Sequence, residues 1–182
     1  RGHGHADLVT ARSERALETA SAGEADAELA NLASTLGLEY LFTGNHDRAG
    51  ELLSLALDVG ESLGVPEAVA RAFAGKGIIA SAQGHPEEAL AYTKHGLTIA
   101  LDHEDWERAY NLYFNLSDLA FQRDRYEEAL GYLRADLEIV RHRGSRPGEW
   151  SVLAETTYPL YMLGRWEDAL ATAAEVPEEK LR

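Results

Sequence analysis

The strongest constraint in this chain is a repeat. The stretch Gly84-His85-Pro86-Glu87-Glu88-Ala89-Leu90 is echoed at Gly44-Asn45-His46-Asp47-Arg48-Ala49, at Asp124-Arg125-Tyr126-Glu127-Glu128-Ala129-Leu130 and at Gly164-Arg165-Trp166-Glu167-Asp168-Ala169-Leu170, each copy 40 residues from the next. A fixed period in this range means one small helical unit used several times, because a single unit cannot bury its own apolar face. Such an array has neighbour-to-neighbour cores in place of one central core. An apolar share of 45% is ample to fill them.

Apolar spacing divides each period into two helices. Ala27 to Thr43 carries Leu29, Leu32, Leu36 and Tyr40 on one face and breaks at Gly44-Asn45. Asp47 to Leu63 carries Leu52, Ala56, Val59 and Leu63, with Gly64 as its stop. Pro66 opens a helix to about Gln83, and Pro86 another to about Asp102. Glu104 to Arg123 and Tyr126 to His142 form the next pair. Gly144 to Gly148 is the most loop-like stretch, and Glu149 to Leu163 and Trp166 to about Glu175 complete the series. Ahead of them, Ala6 to Ala22 reads as the second helix of an incomplete repeat, since Ala16-Leu17 is in register with Ala56-Leu57, Gly96-Leu97 and Asp136-Leu137. No alternating strand pattern occurs. The expectation is an all-α chain of about nine antiparallel helices in a single array over residues 1–182. Residues 1–23 lead it, followed by repeats at 27–64, 66–103, 105–143 and 148–182.

The repeated residues have physical reasons. Ala49, Ala89, Ala129 and Ala169 stand near the start of every second helix, with Gly37, Gly77, Ser117 and Thr157 twelve residues earlier on the first. Two helices approach to ~8–10 Å only where neither carries a bulky side chain, so small against small marks their crossing. Gly44, Gly84 and Gly164 suit the left-handed residue after a helix, a conformation that Asp124 tolerates less well. The acids Asp47, Glu87-Glu88, Glu127-Glu128 and Glu167-Asp168 fall in first turns, where the helix dipole favours negative charge. Pro159 is expected to kink its helix, and Pro177 to shorten the last one.

In this arrangement of small residue, Gly, aromatic slot (His46, Pro86, Tyr126, Trp166) and Ala, the chain resembles the tetratricopeptide repeat family over nearly its whole length. The family period is about 34. A period of 40 looks like the longer-helix variety of bacterial signalling and transcriptional regulators and of peptide-sensing receptors. The resemblance implies a right-handed α-α superhelix whose first helices line a concave groove. Carried over position by position, the lining is Asn31, Ser34, Leu38 and Phe42; Arg71, Ala74, Ile78 and Ser81; Asn111, Phe114, Asp118 and Phe121; and Ser151, Ala154, Tyr158 and Tyr161. Each set falls on one helical face. Five aromatics with only Arg71 and Asp118 charged form an unusually apolar lining, of the kind that marks an interaction site. Burial of these aromatics against one another is the competing reading.

Other chemistry finds little support in the residues. A net charge of −14 disfavours direct contact with nucleic acid or an anionic membrane. The absence of cysteine excludes disulfides, thiolate nucleophiles and Cys-type zinc sites, and fits a cytoplasmic setting. No apolar run approaches the ~20 residues of a membrane span. The paired acids sit side by side in first turns and diverge, whereas catalytic carboxylates converge on a substrate. Of the seven histidines, His3 and His5 alone suggest a metal, as a terminal pair of the type that takes up stray ions. No cofactor and no enzyme activity are expected. The expected role is a non-catalytic scaffold holding a peptide or helix of a protein partner in the groove. Two alternatives stand beside it. One is a sensory or autoinhibitory segment of a larger regulator, with its ATPase or DNA-binding part elsewhere; a start at Arg1 without an initiator Met reads as a fragment. The other is self-assembly through open repeat ends into a homo-oligomer.

Overall fold

The computed structural model describes Glu14, Arg15, Leu17, Thr19 and residues 24–177. Within residues 24–177 eight helices follow one another: α1 (Ala27–Phe42), α2 (His46–Leu63), α3 (Pro66–Ala82), α4 (Pro86–Asp102), α5 (Trp106–Phe121), α6 (Tyr126–His142), α7 (Arg146–Met162) and α8 (Trp166–Ala174). No strand occurs among the described residues. Glu14, Arg15, Leu17 and Thr19 are helical; the rest of the expected leading helix, and the His3–His5 pair, lie outside the described residues.

Local chemistry sets the helix ends. The Asp26 side chain accepts from the Leu29 N–H at 2.8 Å, and Asn45 from that of Arg48 at 3.3 Å, satisfying donors a helix start leaves open. At the other end the chain passes through a left-handed residue and closes a bond back across the last turn. Gly44, Gly84 and Gly164 have φ of 85°, 77° and 73°. The next residues, Asn45, His85 and Arg165, donate to Tyr40, Ala80 and Leu160 at 2.9 Å. Asp124 takes the same turn at φ 56° without glycine. Second helices end alike at Gly64, Glu104 and Gly144, with φ of 66°, 56° and 66°.

One expectation needs correction. The Gly144–Gly148 stretch is a helix start: Ser145 accepts from the Gly148 N–H at 3.3 Å, and Pro147 fills a first-turn position whose N–H has no helical acceptor. Pro159, expected to kink its helix, lies inside α7, which continues through it. Its ring is buried, and the bond it removes belongs to the carbonyl of Glu155, an exposed residue that water can reach.

The chain divides into two compact units between Asp105 and Trp106, at the junction of the second and third repeats. In the first unit, α2 packs against both α1 and α3, and α1 also touches α3. Its core includes Leu17, Leu29, Leu36, Leu52, Leu53, Ala56 and Ala72. Missing side chains permit the close approach. A Cβ on Gly37 would lie 2.9 Å from the Leu53 side chain, and one on Gly77 would collide with the Thr93 hydroxyl and come within 3.3 Å of the Ala89 carbonyl. Gly75, where a Cβ would lie 3.0 Å from Leu38, lets α1 and α3 meet.

In the second unit, α6 packs against α5 and α7, and α8 against α7. Leu133, Val140 and Val152 form a buried cluster in this unit, with Tyr110, Phe121 and Leu137 against them. One residue there conflicts with its surroundings. Asp136 occupies the position held by Ala56 and Gly96 in the preceding repeats and is fully buried. Neither carboxylate oxygen has a hydrogen-bond partner, and burial pushes its pKa up to about 7.

Candidate functional site: the faces of the first helices

The sequence-derived lining falls on α1, α3, α5 and α7, and each unit presents its own pair. On the first unit the face is polar at the beginning of α1 and apolar at its end. Arg71 reaches from α3 to α1, where its Nη1 donates to Ser34 Oγ at 2.8 Å and Thr35 Oγ1 at 3.2 Å, with the main-chain and side-chain oxygens of Asn31 at 3.5 Å. Ser34 itself is fully buried, so it meets this face only through Arg71. Asn31 also donates to the Ala27 carbonyl at 3.0 Å. Further along, Leu38, Ile78 and Ser81 are half-buried and Ala74 is buried. Phe42, at the end of α1, is 78% exposed.

On the second unit the face is aromatic. Phe114 is 40% exposed, Tyr158 53% and Tyr161 62%, while Asn111, Asp118 and Ser151 are exposed. Asn111 donates to the Glu107 carbonyl at 3.0 Å, and Asp118 accepts from Gln122 at 2.8 Å. Phe121 is half-buried and contributes to the core. Tyr158 sets its ring edge-on to Phe121 and to Tyr126, with centroids 6.0 Å and 6.3 Å away. The Tyr126 hydroxyl donates to Asp124 at 2.7 Å, and that bond holds its proton so firmly that the pKa is pushed up to about 12.

Sequence reasoning placed Tyr158 and Tyr161 on the lining but missed Trp166 and Leu170 beside them. Tyr161 and Trp166 stand one period after Phe121 and Tyr126, the two rings that receive Tyr158. They line an open concavity of about 480 Å³ together with Leu170 and Ala173. Trp166 is 63% exposed and Leu170 73%, whereas Leu130, one period before Leu170, is fully buried. The aromatic slot was the available signal, but it reads as a turn residue until its neighbours are known.

No group of three or more His, Cys, Asp and Glu that could hold a metal occurs among the described residues. No described helix is long and apolar enough to cross a membrane.

These features define an all-α helical-repeat fold. More particularly, residues 28–102 match the family model described as tetratricopeptide repeat. Solved structures of the α-α superhelical repeat class share this fold. BtubC (BKLC) from P. vanneervenii aligns over 95% of this chain and 72% of its own, at 20% identity and a TM-score of 0.81. A signal transduction ATPase with numerous domains from Pyrococcus horikoshii, which has a tetratricopeptide repeat sensor, aligns over 94% of this chain but 28% of its own, at 19% identity and a TM-score of 0.74. The Rap conjugation gene regulator of plasmid pLS20, solved with the Phr* peptide, aligns over 93% and 47% at 22% identity and a TM-score of 0.72. This chain thus spans under half the length of the last two. No curated protein matches the sequence.

Proposed function

We propose that this chain is a non-catalytic protein-interaction module that holds a peptide or helix of a partner against its first helices. The observation that carries this reading is the exposure of Phe42, Phe114, Tyr158 and Tyr161 on those helices. Large rings left in water are costly in a soluble domain and mark surfaces that another chain covers. A few such rings supply most of the affinity of an interface. The Rap neighbour, solved with the Phr* peptide, supports a peptide as the ligand class.

The test is a pull-down from the parent cell with the intact chain and with Phe114→Ala plus Phe121→Ala. The double variant is expected to lose its partner while keeping its helicity. Since Phe121 also packs into the core, Phe114→Ala with Tyr161→Ala serves as the companion variant. Retention of the partner by both moves the binding site off these helices. The neighbour with a tetratricopeptide repeat sensor favours a second reading, in which this array is the sensory part of a larger signalling regulator. A parent gene that encodes an ATPase or a DNA-binding domain on the same chain supports it; a gene encoding the array alone ends it.

A further inference from the structure

We propose that Arg71 on the first unit is a specificity determinant that takes the side-chain carboxylate of a bound peptide, with a bulky apolar residue of the same peptide lying against Phe42 and Ile78. This rests on the interaction-module reading and names the ligand chemistry within it.

The basis is an unbalanced charge held in place. Most guanidinium groups with a defined partner in this acidic chain are matched by a carboxylate. Arg48 holds Glu14 and Glu51, Arg125 holds Glu128, Arg141 holds Glu149, and Arg165 holds Asp168. Arg71 is half-buried and, among the described residues, hydrogen-bonds only to neutral oxygens. Both short bonds and both 3.5 Å approaches are made by Nη1, and the Nε–Nη2 edge has no acceptor among the described residues. A guanidinium fixed through one nitrogen, with its planar fork open, is pre-arranged for a carboxylate to accept two parallel bonds. Anchoring by Ser34, Thr35 and Asn31 restricts the side chain before the ligand arrives, which lowers the entropic cost of binding.

The rest of the face sets the spacing. Ser34 and Phe42 are eight residues apart on α1, about 12 Å at a helical rise of ~1.5 Å per residue. An extended peptide covers that distance in about four residues. A chain carrying a charge of −14 repels a strongly acidic ligand, so one acid on a neutral or basic background is favoured over an acidic run. The ligand class is therefore a peptide with one Asp or Glu about four positions from a Phe, Leu or similar residue.

The experiment uses the 182-residue chain and fluorescently labelled peptides, acetylated and amidated so that only a side chain supplies a carboxylate. One peptide carries Glu and Phe four positions apart on a Ser/Lys background; controls replace Glu by Gln, Phe by Ala, or both. Binding is followed by anisotropy with the native chain, Arg71→Gln, Arg71→Lys and Phe42→Ala. The Glu/Phe peptide is expected to bind at least about tenfold tighter than its Gln counterpart. Arg71→Gln should erase that preference, and Arg71→Lys should restore part of it. Equal binding of Glu and Gln peptides to the native chain overturns the proposal without any variant having to fold. If both then bind through Phe and lose affinity in Phe42→Ala, the interaction-module reading survives while the Arg71 proposal fails. If no peptide binds, the proposal fails, and the pull-down alone decides the broader reading.

Discussion

Replacing Asp136 by Ala should stabilise the second unit, and by an amount that depends on pH. Asp136 is fully buried and unpartnered, at a position where the array otherwise places Ala56 and Gly96. Desolvation raises its pKa from 3.8 to about 7. The folded chain therefore keeps this proton to a higher pH than the unfolded chain does. Below about pH 4 both states are protonated and ionisation adds no penalty. From there stability falls as the pH rises, until above about pH 7 the carboxylate is charged in both states. A difference of about three units, at ~1.4 kcal/mol each, corresponds to ~4 kcal/mol. The alanine also leaves a small void, but that cost is the same at every pH. The gap between Asp136→Ala and the native chain should thus widen by up to ~4 kcal/mol from pH 4 to pH 8. Urea unfolding followed by tryptophan fluorescence reads it cleanly, because Trp106, Trp150 and Trp166 all lie in this unit. A difference that stays constant across that range, or a variant less stable throughout, refutes the assignment of a buried, unpaired acid.

Two further changes test the packing and the turns. Gly77→Ala should destabilise the first unit by ~1–3 kcal/mol, since the added methyl meets the Thr93 hydroxyl and the Ala89 backbone; an unchanged thermal midpoint would show that α3 and α4 have room to part. Glu104→Gly should raise stability by ~1 kcal/mol, as it relieves a side chain held at φ 56° where Gly64 and Gly144 hold the equivalent turns; thermal unfolding of the two chains side by side decides it.

The faces of the first helices show how far linear reading reached. Periodicity assigned Ser34 and Phe42 to the same stripe of α1, yet one is fully buried and the other 78% exposed. Arg71 on α3 lies over Ser34, while Phe42 in the last turn of α1 has no such neighbour among the described residues. Likewise Phe121 and Tyr161 are one period apart and chemically alike. Tyr158 closes over the first and leaves the second open. Ring type and helical phase are visible in a sequence, but the neighbour that covers a ring is a property of packing.

Read alone, the sequence determined the period, the order of the helices, most of their ends and the small residues at their crossings. All of these are specified within about 40 residues, by a cap, a left-handed stop or a missing side chain, and each copy confirms the next. Only the tertiary structure decided that the first turn of α7 begins inside a proline–glycine stretch, that α7 runs on through Pro159, that Asp136 is sealed without a partner and that Arg71 is anchored by one nitrogen. Burial and charge pairing depend on atoms contributed by other helices, tens of residues away along the chain, and the local pattern that draws a helix carries no information about what will lie against it.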